Sequence, residues 1–125
     1  MAKLLLADDS LFQRTMVGTM AREAGMEVLE AKNGRECLEM IQAEAPDILV
    51  LDLNMPEVGG LEVLAAIHGR EKPPAVIVLT ADIQESTRER CLILGAQSIL
   101  FKPVQKVQFH EALNRAWSSM ESDSA

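Results

Sequence analysis

Five residues stand where four apolar runs end, and their types suit one kind of chemistry. Asp8-Asp9 follow the run Lys3–Ala7, Asp52 follows Ile48–Leu51, Thr80 follows Ala75–Leu79, and Lys102 follows Gln97–Phe101. Carboxylates gathered at one point repel, by ~4 kcal/mol for a unit pair about 4 Å apart at an effective dielectric of about 20. A hard divalent cation is the natural partner of such a group. Mg²⁺ takes oxygen ligands in an octahedron, keeps several waters, and binds through one or two carboxylates plus a phosphoryl oxygen. Lys102 adds a positive charge and Thr80 a neutral donor. Together they suit the holding of a phosphoryl group beside a nucleophilic carboxylate.

Taken singly, each has a plain structural role. Asp8-Asp9 could cap a helix and complement its dipole. Asp52 could be a turn aspartate, Thr80 a strand-end threonine and Lys102 a solvated charge. That all would stand by chance at the carboxyl ends of strands is the weaker reading. His68 and His110 lack i, i+4 partners and read as surface residues rather than ligands.

The elements that must position these residues alternate. Ser10 and Gln13 form an S-x-x-Q capping box that opens the first helix. The apolar stripe of that helix is Phe12, Met16, Val17, Met20 and Ala24, and Gly25 ends it. Met26–Ala31 is a second strand. Asn33-Gly34 turns into a helix with Cys37, Leu38, Ile41 and Ala45 on one face, stopped by Pro46. After the third strand, Asn54-Met55-Pro56 and Gly59-Gly60 form a loop before a helix from Leu61, which Pro73-Pro74 breaks. A helix over Gln84–Leu94 is closed by Gly95. The last helix follows Pro103, carries Val107, Leu113, Trp117 and Met120, and frays from Ser118 to Ala125.

Apolar strands alternating with helices imply a parallel sheet covered on both faces. With right-handed crossovers, an α/β doubly wound five-stranded sheet of order 2-1-3-4-5, flavodoxin-like, is the economical topology. Its ligand crevice lies beyond the carboxyl ends of the strands, where the order reverses between strands 1 and 3. The five polar residues meet there.

At 125 residues, 48% of them hydrophobic, the chain makes one domain that can bury a core without disulfides. Residues 1–121 are expected to form it, with 122–125 a short polar tail and no output domain. Cys37 and Cys91 lack C-x-x-C spacing and read as free structural thiols. A net charge of −7 argues against a nucleic-acid surface. No apolar run approaches a signal peptide or a membrane span, so the expected location is cytoplasmic.

The ordered set Asp8-Asp9-Ser10, Asp52-Leu53-Asn54-Met55-Pro56, Gly60, Thr80-Ala81, Gly95-Ala96 and Lys102-Pro103 resembles the response-regulator receiver domains of two-component signalling, of the stand-alone, CheY-like type. The resemblance runs from about Lys3 to Met120. It implies that Asp52 accepts a phosphoryl group with Mg²⁺ bound. Asp9 and Asp52 would be direct metal ligands with the backbone carbonyl of Asn54, and Asp8 would act through metal-bound water. Lys102 would pair with the carboxylate and then with the phosphoryl group. The Thr80 hydroxyl and the Ala81 N–H would bind phosphoryl oxygens, and Asn54 and Asp82 would tune phosphoryl lifetime.

Implied partners are a histidine kinase or phosphotransfer protein, a small phosphodonor, a phosphatase, and a protein target on the face of the fourth helix, fifth strand and fifth helix. The implied setting is chemotaxis or a phosphorelay. The implied role is a switch that catalyses only its own phosphorylation and dephosphorylation.

Three residues depart from the family's pattern. Gly59 stands where relatives usually carry Asp. Ile99 replaces the switch aromatic, and Val104 replaces the usual Phe after Lys-Pro. Two other classes fit less well. Phosphohydrolases of the haloacid-dehalogenase type use D-x-D, and Asn54 in the second position cannot act as an acid. A flavin binder is disfavoured by the acidic rim and by three Phe, one Trp and no Tyr. A degenerate receiver used only for protein interaction is disfavoured by the intact acceptor set.

Overall fold

The computed structural model describes the backbone of residues 2–124 and the side chains of residues 2–120. Among them ten elements alternate: β1 (Lys3–Ala7), α1 (Leu11–Glu23), β2 (Glu27–Ala31), α2 (Gly34–Glu44), β3 (Ile48–Asp52), α3 (Gly60–Ile67), β4 (Ala75–Thr80), α4 (Glu85–Ile93), β5 (Ser98–Phe101) and α5 (Lys106–Ser124). The strands form one sheet in the order β2-β1-β3-β4-β5, parallel throughout. Both the element order and the topology agree with the sequence-based expectation.

The two-residue period of a strand divides the core into two layers. Leu4, Leu6, Ile48, Val50, Ile77, Leu79 and Leu100 face Val17 and Ala21 of α1 and Phe109, Ala112, Leu113 and Ala116 of α5. Leu5, Ala7, Leu49, Leu51, Val76 and Val78 face Cys37 and Ile41 of α2, Val63, Leu64 and Ile67 of α3, and Cys91 of α4. Cys37 and Cys91 are free and buried. Burial pushes the Cys37 thiol up to about 12, so it packs as a small hydrophobe.

Several helix details differ from the expectation. Phe12 is 72% exposed, and Ala24 is the exposed C-cap. The buried face of α1 is Val17, Gly18 and Ala21, from the centre of which Phe12 lies roughly 170° around the helix. The capping box is half formed: Ser10 Oγ accepts from the Gln13 N–H at 3.3 Å, but Gln13 Oε1 is buried without a hydrogen-bond partner among the described residues. The Ser10 N–H that it would accept donates instead to Asp8 Oδ1 at 2.9 Å.

Ala45 does not join the inner face of α2; it caps that helix, exposed, with φ of +46°. α3 ends at Ile67, well before Pro73-Pro74, because the polar segment from His68 has nothing to bury. Gly69, at φ +83°, turns the chain there. On α5 the core face is Phe109, Ala112, Leu113 and Ala116, while Val107 and Trp117 are exposed. No Gly or Pro interrupts the chain after Ser118, so α5 continues through Ser124 rather than fraying. Of the expected tail, Ala125 lies outside the described residues. His68 is exposed, but His110 is half-buried, with Nε2 3.4 Å from the Met20 carbonyl.

Close backbone contact fixes the loop after β3. A Cβ on Gly60 would lie 2.6 Å from the Asp52 carbonyl oxygen and 2.7 Å from Leu53 Cα, both backbone atoms that cannot swing aside. Gly60→Ala is therefore expected to destabilise the fold by about 1–3 kcal/mol in urea unfolding. Gly18→Ala, where the Cβ would press on the end of the Arg22 side chain at 3.2 Å and make an ordinary contact with Leu6 Cδ2 at 3.8 Å, should be neutral or gain up to about 1 kcal/mol from helix propensity. Equal losses in the two variants would contradict the close approach at Gly60.

Candidate functional site

The carboxyl edge of the sheet collects the residues singled out from sequence. Parallel register aligns Ala7 with Leu51, Asp52 with Leu79, and Thr80 with Phe101, so Asp8, Asp52, Thr80 and Lys102 emerge side by side. Asp8, Asp9 and Asp52 each offer a carboxylate oxygen within 4.8 Å of the others. Lys102 Nζ donates to Asp52 Oδ1 at 2.9 Å and to Asp8 Oδ2 at 3.5 Å. Asp8 and Asp52 are 1% and 2% exposed, so this is a charge cluster largely removed from water, with Asp9 open to solvent.

Each carboxylate is committed differently. Both Asp8 oxygens are taken, Oδ1 by the Ser10 N–H and Oδ2 by Lys102. On Asp52 both hydrogen bonds fall on Oδ1, from Lys102 and from the Asn54 N–H at 3.3 Å; Oδ2 accepts none among the described residues. Asp9 makes no side-chain hydrogen bond or ion pair among the described residues. An oxygen of Asp52 and the Asp9 carboxylate are therefore open to a cation, and the all-oxygen donor set fits Mg²⁺.

The electrostatics follow from burial and neighbours. Burial pushes Asp52 above the ordinary carboxylate range against the Lys102 hydrogen bond, and the charge of Asp8 pushes the same way. Burial alone would lower Lys102, but its hydrogen bond to Asp52 and the charges of Asp52 and Asp8 win and raise it. Lys102 is thus firmly cationic. Its own N–H donates to the Thr80 carbonyl at 2.9 Å, and the Lys102–Pro103 peptide is cis.

Thr80 is buried, and its Oγ1 accepts from the Asp82 N–H at 2.9 Å. Ala81 and Asp82 are exposed in the loop that follows. The Asp82 carboxylate holds the start of α4, accepting from the Gln84 N–H at 2.9 Å and from Thr87 Oγ1 at 2.7 Å. Those two bonds, the backbone one first, hold its carboxyl below the usual range. Ile99 is half-buried against the layer containing Cys91, and Val104 is buried.

Two features of the rim escaped the sequence reading. Arg14 Nη1 donates to the Asp8 backbone carbonyl at 2.7 Å. Gly34 packs so closely on the loop after β3 that a Cβ there would strike the Val58 carbonyl. Neither belongs to a motif that periodicity or spacing reveals; both depend on which loops meet.

Comparison with known proteins agrees with this arrangement. Residues 4–114 match the response regulator receiver domain. The chain is 38% identical over 117 residues to the chemotaxis protein CheY of Listeria monocytogenes, covering 93% of this chain and 98% of that protein. It is 34% identical over 114 residues to the chemotaxis protein CheY of Thermotoga maritima, covering 90% and 95%. The solved structure of Vibrio cholerae CheY4 superimposes with a TM-score of 0.86 at 31% identity, over 93% of this chain and 98% of that one. Among the described residues no helix is long and apolar enough to cross a membrane. By sequence, topology and the composition of its rim, the chain belongs to the response regulator receiver domains of two-component signalling, in their CheY-like form.

Proposed function

We propose that this receiver accepts a phosphoryl group on Asp52, with Mg²⁺ bound at the acidic rim, and thereby switches a protein-binding surface. The observation that carries the reading is the division of labour among the three carboxylates. Asp9 and Asp52 have open oxygens and would ligate the metal with the Asn54 carbonyl, whereas Asp8, fully hydrogen-bonded, would act through metal-bound water. When bound, Mg²⁺ supplies positive charge against the phosphoryl oxygens and the attacking carboxylate.

Asp52 attacks phosphorus, the donor's bond to phosphorus breaks, and an acyl phosphate forms. Lys102, already on Asp52, moves to the added oxygens. The donor is a histidine kinase, a phosphotransfer protein or a small phosphodonor. The setting is chemotaxis or a phosphorelay in the cytoplasm, with a phosphatase as a further partner. Asn54 and Asp82 flank the new group and control water access.

The switch would run outward from Thr80. Its hydroxyl and the Ala81 N–H are the donors available to the phosphoryl oxygens. Thr80 Oγ1 holds the Asp82 N–H, and Asp82 in turn holds Gln84 and Thr87, so displacement of Thr80 carries the loop into α4. α4 fully buries only Cys91 among its residues, which leaves it weakly fastened. Ile99 follows with less volume than a ring, so loop and helix movement leads.

Acetyl phosphate with Mg²⁺ should add one hydroxylamine-labile phosphoryl group by mass spectrometry, and Asp52→Asn should abolish it. Labelling of that variant at the wild-type rate would place the acceptor elsewhere. Mg²⁺ should raise the melting temperature, by about 2.7 kcal/mol of stability at 100 times its Kd, and much less in Asp9→Asn. Equal shifts would remove the metal from the rim.

For the switch, beryllofluoride with Mg²⁺ should move amide shifts across Asp82–Arg90, Ile99 and Val104–Val107. In Thr80→Ala the changes should stay near Asp52. Confinement to the acceptor pocket in the wild type would defeat the switch while leaving the phosphoryl chemistry standing.

A further inference from the structure

The turn Asp8–Ser10 carries the open carboxylate of Asp9, yet among the described residues no hydrogen bond or ion pair holds that side chain in place. What holds the turn is its backbone. The Asp8 N–H donates to the Ala31 carbonyl at 3.1 Å, at the end of β2. The Asp8 carbonyl accepts from Arg14 Nη1 at 2.7 Å. Arg14 Nε donates to Glu30 Oε1 at 3.1 Å, and Glu30 Oε2 lies 3.5 Å from Arg22 Nη2. The Arg14 side chain is 13% exposed, so its guanidinium works largely out of water. A charge-assisted bond to a carbonyl at this distance lies at the strong end of N–H···O bonds.

We infer that Arg14 is a positioning residue of the acidic rim: anchored on Glu30, its guanidinium fixes the Asp8–Asp9 peptide and so sets where the Asp9 carboxylate sits. The peptide is planar, so fixing the Asp8 carbonyl fixes the Asp9 N–H and the start of the Asp9 side chain with it. The role is geometric rather than a matter of added charge, because a cation beside the rim would by itself oppose Mg²⁺, and Glu30, shared with Arg22, offsets part of that charge. The planar fork of arginine sends Nε and Nη1 to two acceptors at a fixed angle. A lysine ammonium retains the charge but offers no such fork. The inference rests on the Mg²⁺ reading above for its consequence, but not for its geometry.

The test uses Arg14→Met, Arg14→Lys, Glu30→Gln and, as a control, Arg22→Met in the full chain. Three quantities are measured: Mg²⁺ affinity by calorimetry on folded protein, metal-free hydrogen exchange at the Asp8 and Ser10 amides, and global stability in urea. Arg14→Met should weaken Mg²⁺ binding by about tenfold or more, as loss of a group supporting a metal ligand does. It should also speed exchange at Asp8 and Ser10 beyond what its global stability explains. Arg14→Lys should recover stability more fully than Mg²⁺ affinity, and Arg22→Met should leave affinity near wild type. Glu30→Gln should fall between, since it keeps an acceptor for Nε.

Mg²⁺ affinity within about twofold of wild type in Arg14→Met would reduce Arg14 to a structural residue and overturn the inference. Weaker Mg²⁺ binding with unchanged exchange would mean that Arg14 does not hold the Asp8–Asp9 backbone, and would overturn it equally, since loss of a cation by itself should strengthen Mg²⁺ binding. If wild type itself binds no Mg²⁺, the metal reading fails, and the exchange of Asp8 and Ser10 still decides whether the clamp exists. Should Arg14→Met not fold, Arg14→Lys and Glu30→Gln carry the same comparison.

Discussion

The contact between Lys102 and Asp52, 2.9 Å long and spanning fifty residues of sequence, joins the end of β5 to the end of β3, with Asp8 of the β1 end 3.5 Å away. Burying such charges costs several kcal/mol per ion before their attraction is counted. The fold therefore gains little net stability from them, and a well-packed apolar rim would serve stability as well. What the arrangement secures is a carboxylate kept out of water, raised by burial and by Asp8, with a cation on one of its oxygens and the other left open. The three strand ends must stay in register for this to hold. That register comes from the apolar strands behind the rim, which pack on both faces.

The loops around the rim are held by close backbone contacts as well as by the packing of Leu53, Met55 and Val58 on the core. Gly60 rests on the Asp52 carbonyl and Gly34 on Val58, so the loop carrying Asn54 and Met55 is pressed from two sides by positions that only glycine can fill. On the opposite side, Arg14 takes the Asp8 carbonyl. The segment after Thr80 differs. It is tied by a chain of hydrogen bonds from Thr80 through Asp82 to α4, and α4 is lightly packed. The rim thus has firm sides where a metal would be held and one yielding side, toward α4. That asymmetry is what a site needs if binding at one point is to move something at another.

The yielding side opens on a groove of 230 Å³ between α4, β5 and α5, lined by Arg88, Leu92, Gln97, Ser98, Ile99 and Arg115. Ile99 stands half-buried among these residues. A half-buried aliphatic side chain on β5 leaves the groove walls to arginine guanidiniums and to Ser98, which Arg115 Nη2 reaches at 3.3 Å. The groove thus presents charge and hydrogen-bonding groups beside Leu92 and Ile99.

Much of this was legible in the sequence, for reasons particular to each element. The runs Leu4–Ala7, Ile48–Leu51 and Val76–Leu79 are apolar throughout, which only strands covered on both faces require. Gly25 and Gly95, at φ +87° and +98°, mark helix ends that other residues would strain to form. Asp8, Asp9, Asp52, Thr80 and Lys102 could be placed at one rim because a strand's end is a local property and the topology brings such ends together. The helix faces were less legible. Phe12, Ala24, Ala45, Val107 and Trp117 look like core residues by type, but small residues such as Gly18, Ala21, Ala112 and Ala116 fill the close contacts with the sheet. Periodicity weighs hydrophobicity, whereas packing weighs shape. The support from Arg14 and the need for glycine at 34 and 60 were decided by tertiary structure alone. Each depends on a neighbour that the folded backbone brings up, and such partners and close approaches leave no periodic trace in a chain.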